Sequence, residues 1–202
     1  MPPFAVDEIP PRVLPSGSLL QHVSRLEHQH TPLHFGRLAY NRFDAPDGGF
    51  GVLYLAADLA TALMESVFHA HDWQHTDRRL ISEAELDRRL VRITCPTIAL
   101  TLADLCAPGA MASALGLTLE DLVARPLRAT QELSAAIHAA GDDTTPRYDG
   151  IVYPSRMNFP GQCIALFDRS ARHLERPADL PLRRHRDWPA FVRDYRIIVG
   201  RG

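Results

Sequence analysis

The stretch "GVLYLAADLATALMESVFHAH", Gly51 to His71, decides how this chain is read. Its start, within "FGVLYLA", is a short apolar run of the kind that forms a buried strand. Asp58 follows as an N-cap. The spacing of Ala60, Leu63, Met64, Val67 and Phe68 then predicts a helix running to about His71. Glu65 falls in the middle of that helix, about 60° beyond the edge of its apolar stripe. It reads either as a solvated flank residue or as a carboxylate presented to a cleft at the strand–helix corner. Tyr54, in the strand, reads either as a core tyrosine with a partnered hydroxyl or as part of that same cleft.

Upstream, residues 1–17, "MPPFAVDEIPPRVLPSG", read as an irregular N-terminal arm, because proline fixes φ and removes donors. "LLQHVSRL" is a short strand carrying Ser24 and Arg25. A long loop, "EHQHTPLHFGRLAYNRFDAPDGG", then carries Arg37, Arg42 and Phe43. Loops of that length inside a compact domain are more often functional than accidental.

Downstream, "SEAEL" from Ser82 is a capping box in which Glu85 reaches back to Ser82. "LVRITC" and "TIALTLADL" are strands, and Ala110 to Leu115 is a short helix. Thr118 caps "LEDLVAR", and "PLRATQELSAAIHAAG" is an amphipathic helix closed by Gly141. "DGIVYPS" and "QCIALFD" are strands flanking the loop 156–161, so that Ser155 follows an apolar strand. The proline- and arginine-rich tail ends in a short helix and an edge strand within "DWPAFVRDYRIIV". The whole reads as one α+β domain spanning residues 18–202.

Composition narrows the function classes. The formal net charge of −2 argues against a protein built to neutralise nucleic-acid phosphates. The 22 residues counted as lysine plus arginine are all arginine, so Schiff-base lysines and Walker-type phosphate loops are excluded. Any anion site must use forked guanidinium groups or backbone N–H groups. Cys95, Cys106 and Cys163 lack metal or redox spacing, which suits a cytoplasmic protein. Neither a membrane span nor a signal peptide is expected. The ten histidines raise a metallohydrolase reading, since His28, His30 and His34 share the spacing HxHxxxH with His69, His71 and His75. Against it, i and i+2 do not share a helix face, and carboxylates for a two-metal site are not arranged nearby. Cys163 lies in a core-type strand, where cysteine behaves as a small hydrophobe. A non-catalytic interaction module, with Glu65 and the arginines as rim charges, is the other alternative.

The combination "HVSRL", "NRFDAPDGGFGVLYLAADLATALMESVFH", "TLADL", "YDGIVYPSR" and "CIALF" resembles the RES-domain family of bacterial toxins, from about Leu19 to Asp168. The specific elements are the YLA–x8–E run from Tyr54 to Glu65 and the later serine. The resemblance maps the family's arginine to Arg25, its tyrosine to Tyr54, its glutamate to Glu65 and its serine to Ser155. "YNRFDAPDGG" departs from the family's "GGRWNP", with Arg42 and Phe43 standing for its arginine and tryptophan. It implies an ADP-ribosyltransferase-like fold, consumption of NAD+ without a metal, and a cognate antitoxin as partner. In that chemistry Glu65 steadies the ribose cation, Arg25 and Arg42 grip the diphosphate, and Tyr54, then Phe43, faces the nicotinamide. Ser155 bonds a ribose or the carboxamide. The acceptor of ADP-ribose, whether a protein, water or phosphate, stays open.

Overall fold

The computed structural model describes residues 4–31, 33–69, 80–142 and 144–200. Along the chain run β1 (Pro11–Leu14), β2 (Leu20–Arg25), β3 (Val52–Ala56), α1 (Leu59–Glu65), β4 (Leu80–Ser82), α2 (Glu83–Asp87), β5 (Arg89–Pro96) and β6 (Leu100–Asp104). There follow α3 (Leu119–Val123), α4 (Arg128–His138), β7 (Gly150–Pro154), β8 (Gln162–Phe167), β9 (Leu174–Pro181), α5 (Trp188–Asp194) and β10 (Ile198–Gly200). Eight strands form one sheet in the order β1-β6-β7-β8-β3-β2-β5-β9, and β10 pairs with β4 separately. Within the large sheet β6 and β7 are parallel and the other pairs antiparallel. This is the single α+β domain with a mixed sheet and flanking helices that the sequence predicts.

Side-chain alternation along the central strands builds two faces. Leu53, Leu55, Val152, Ile164 and Leu166 point into one apolar layer. Val52, Ile151, Tyr153, Cys163, Ala165 and Phe167 point to the other, where Leu133 and Ile137 of α4 cover them. On that same side, Val23 and Ala56 instead meet Ala62 and Leu63 of α1 and Phe191 of α5 in a separate cluster. Two cores therefore share one sheet face, and the gap between them lies over β2, β3, β8 and β7.

The arm is not wholly irregular. Pro11–Leu14 forms the edge strand β1, with proline at its first position, where no inner ladder bond is lost. The helix after β3 is shorter than expected. It begins at the predicted cap, with Asp58 accepting from the Thr61 N–H at 2.8 Å, but ends at Glu65. The Ser66 hydroxyl bonds back to the Ala62 carbonyl, and the Phe68 N–H reaches the Leu63 carbonyl at 2.9 Å. That turn buries Phe68 against Phe191, so tertiary packing overrides the helical period. The predicted end at His71 lies outside the described residues. At Ser82 half of the expected capping box is present. The serine accepts from the Glu85 N–H at 3.1 Å, while the Glu85 carboxylate turns to Arg89 and Arg25.

Candidate active site

The floor of the gap is one register row across four strands. Gln21 pairs with Ala56, Ala56 with Cys163, and Cys163 with Tyr153. Small side chains in the middle and long ones at both ends make a depression. It forms a cleft of about 380 Å³, walled by Tyr54 and Arg42 on one side and by Ala62, Glu65 and Ser66 on the other. The Cys163 thiol is pushed up to about 12, chiefly by burial and then by the Glu65 carboxylate, so it stays protonated. It forms the floor of the cleft.

Glu65 is held at the end of α1 by groups from across the cleft. The Ser155 hydroxyl donates to its Oε1 at 2.6 Å, and the Met157 N–H donates to the same oxygen at 3.1 Å. Ser155 itself is buried and accepts from the Asn158 N–H at 2.9 Å. The loop 155–161 is closed by a bond from the Ser155 N–H to the Gly161 carbonyl at 2.8 Å. Asn158 fastens that loop to α1 by donating to the Thr61 hydroxyl at 2.9 Å. A Cβ on Gly161 would lie 2.3 Å from the Thr61 hydroxyl oxygen, so only glycine lets the loop approach the helix.

Tyr54 contributes its ring to the cleft and its hydroxyl to the wall. The hydroxyl donates to Asp44 at 2.9 Å and accepts from the Phe43 N–H at 2.9 Å. Burial, above all, then Tyr153 and Asp44, raises its pKa far above the usual phenol range. Asp44, 1% exposed, also gathers the N–H groups of Tyr40 and Asn41. This network fixes residues 40–44 and places the Arg42 guanidinium over the Tyr153 ring, 5.6 Å from its centroid. Arg42, Arg125 and Arg156 all line the cleft, and none pairs with a carboxylate among the described residues.

The structure thus brings Glu65, Ser155, Tyr54 and Arg42 together. Phe43, expected as a second aromatic face, is fully buried and packs on Tyr153 at 4.6 Å between centroids. Only its backbone serves the wall. Arg25 shares a sheet face with Gln21 and Val23 but is not among the lining residues. Its half-exposed guanidinium lies 3.6 Å from Glu27 and 3.8 Å from Glu85. Arg37 is structural, paired with Asp168 and donating to the carbonyls of Gly48 and Gly49. Sequence reasoning missed Gln21, Tyr153, Arg125 and Arg156. Tyr153 was findable, two positions before Ser155 in an alternating strand. Gln21 and Arg125 carried no local signal.

Among the described residues, no group of three histidine, cysteine or acidic side chains is placed to hold a metal. His71 and His75 of the metal reading lie outside the described residues. No described helix is long and apolar enough to cross a membrane.

The RES domain family matches residues 19–190 of this chain. No curated protein matches it in sequence. Among solved structures, it is similar to a chain in the crystal structure of the M. tuberculosis MbcT–MbcA toxin–antitoxin complex. The TM-score is 0.65 at 18% identity, over 95% of this chain and 94% of that one.

Proposed function

Because the chain belongs to the RES-domain family, we propose that its cleft binds NAD+ and cleaves the nicotinamide–ribose bond, as the toxin of a bacterial toxin–antitoxin pair. The observation that carries this is Glu65, which lines a cleft with three arginines that have no carboxylate partner among the described residues. The bonding electron pair leaves with the nicotinamide nitrogen, which becomes neutral and needs no acid. The ribose carbon is left with oxocarbenium character, as in glycoside cleavage. Glu65 lies close to that carbon and stabilises the charge most where water is displaced. An acceptor then gives the carbon a lone pair and loses its proton.

Tyr54 and Tyr153 offer flat faces to the pyridinium ring. Arg42 holds the diphosphate with bidentate bonds. Arg25 adds a second fork from the β2 side, exchanging exposed pairs worth less than ~1 kcal/mol each. The partner is a cognate antitoxin, in keeping with the toxin–antitoxin complex that the similar structure records.

Incubation of the purified protein with NAD+ and measurement of free nicotinamide tests the reading. Glu65→Gln keeps an oxygen for Ser155 and Met157 and removes the charge. Its rate should fall about 100-fold, the scale of losing one group that stabilises transition-state charge, with thermal unfolding little changed. Equal rates in the two proteins would end the assignment, and no release by either would favour a binding module.

A further inference from the structure

Tyr195 caps the carboxyl end of α5, where its ring stacks on the buried Phe191 at 4.4 Å between centroids. It lies beyond residue 190, where the family match ends, and it is not among the residues that line the cleft. Its hydroxyl nevertheless reaches the loop that holds Glu65, by donating to the Asn158 Oδ1.

The direction of each proton in this series of bonds follows from its far end. A carboxylate only accepts, so the Thr61 hydroxyl donates to the Asp58 Oδ2 at 2.9 Å. The Thr61 oxygen then accepts from the Asn158 Nδ2, also at 2.9 Å. That turns the Asn158 Oδ1 towards Tyr195, whose hydroxyl must donate. Burial, then the Asp58 charge, raises the Tyr195 hydroxyl above the usual phenol range, so the donor keeps its proton. Asn158 is thereby gripped by Thr61 of α1 and by Tyr195 of α5. Its N–H donates to the Ser155 Oγ at 2.9 Å, and the Met157 N–H approaches the same oxygen at 3.2 Å. With backbone donors on its lone pairs, the Ser155 hydroxyl turns its proton to the Glu65 Oε1 at 2.6 Å. Thr61 and Glu65 are four residues apart and share one face of α1, so the loop meets that face at both points.

We infer that Tyr195 is a positioning residue for Glu65: α5 holds Asn158, Asn158 holds the loop 155–161, and the loop fixes where the carboxylate sits. The inference rests on the reading of Glu65 as the group that steadies the ribose cation. Because Tyr195 stands outside the cleft lining, loss of its hydroxyl falls on kcat and spares KM.

Tyr195→Phe keeps the stack on Phe191 and removes only the hydroxyl. Its kcat for nicotinamide release should fall about fivefold, the scale of one net hydrogen bond, with the KM for NAD+ within about twofold of the parent. Added to Asn158→Ala, the same change should cost less than about twofold, because its effect passes through Asn158. A second readout needs no turnover. Hydrogen exchange at the Met157 and Asn158 N–H groups should quicken about fivefold in Tyr195→Phe. A parent-like kcat, a loss carried by KM, or the full loss again in the Asn158→Ala background overturns the inference. So does exchange that ignores the hydroxyl. If exchange quickens as expected and the unaltered protein releases no nicotinamide, α5 still sets the loop and the cleavage reading alone falls.

Discussion

Glu65 sits at the carboxyl end of α1, where the helix dipole disfavours negative charge. A surface carboxylate there would gain nothing from its helix. The stabilisation comes instead from the Ser155 hydroxyl and the Met157 N–H, both delivered by the opposite loop. Ser155 also receives the Asn158 N–H, so one hydroxyl orders both the acid and the loop. Ser155→Ala removes that donor and leaves the half-buried Asn158 N–H short of a partner. The expected cost is about 1–3 kcal/mol of stability, read as a lower denaturant midpoint. Nicotinamide release should fall by at least about tenfold, since 1.4 kcal/mol of lost positioning suffices. A variant as active as the parent would mean that Ser155 is only a turn residue.

At the scale of elements, the loop 155–161 and α1 form a clamp with glycine at its pivot. Gly161→Ala would drive a methyl group into the Thr61 hydroxyl at 2.3 Å and the Asn158 carbonyl at 2.6 Å, so the loop must withdraw from the helix. Activity should drop more than stability does, because Glu65 loses its anchor before the core is disturbed. Parallel measurement of nicotinamide release and thermal unfolding checks this; unchanged turnover would refute the clamp. The central strands were legible because their apolar runs are short and bounded by turn residues. The two edge strands of the large sheet, β1 and β9, were not. β9 reads "LERPADLP", and its two prolines suggest an irregular tail. At a sheet edge a proline need not give up an inner ladder bond. The end of α1 was misjudged because Val67 and Phe68 continue the helical period in sequence while the backbone turns to bury Phe68. Of the residues at the candidate cleft, Glu65, Tyr54, Ser155 and Arg42 were singled out in sequence through the family pattern. Gln21 and Arg125 became visible only when strand register and a helix–helix turn brought them to the cleft.

The whole molecule places its cleft where two cores on one sheet face part, and it half-buries one histidine at the end of α4 and another in β2. His138 closes α4, stacked on Phe50 at 4.1 Å and edge-on to Phe167 at 5.0 Å between centroids. His22 lies in β2 opposite Arg92. Burial, assisted by Arg169, lowers His138 to about 4, and burial, assisted by Arg92, lowers His22 to about 4, both from an ordinary 6.5. Each ring is therefore neutral when folded, and between pH 6.5 and 4 the unfolded chain binds more protons than the folded one. Their contribution to stability is complete above pH 6.5 and is lost progressively as the pH falls towards 4. Thermal unfolding should thus shift down by several degrees between about pH 7 and pH 4.5, a range in which most carboxylates stay ionised. His138→Phe keeps the aromatic stack and removes the titration, so the shift should shrink in that variant. A melting temperature that ignores pH over this interval, or a variant as acid-sensitive as the parent, would show that His138 is not held neutral by the α4 core.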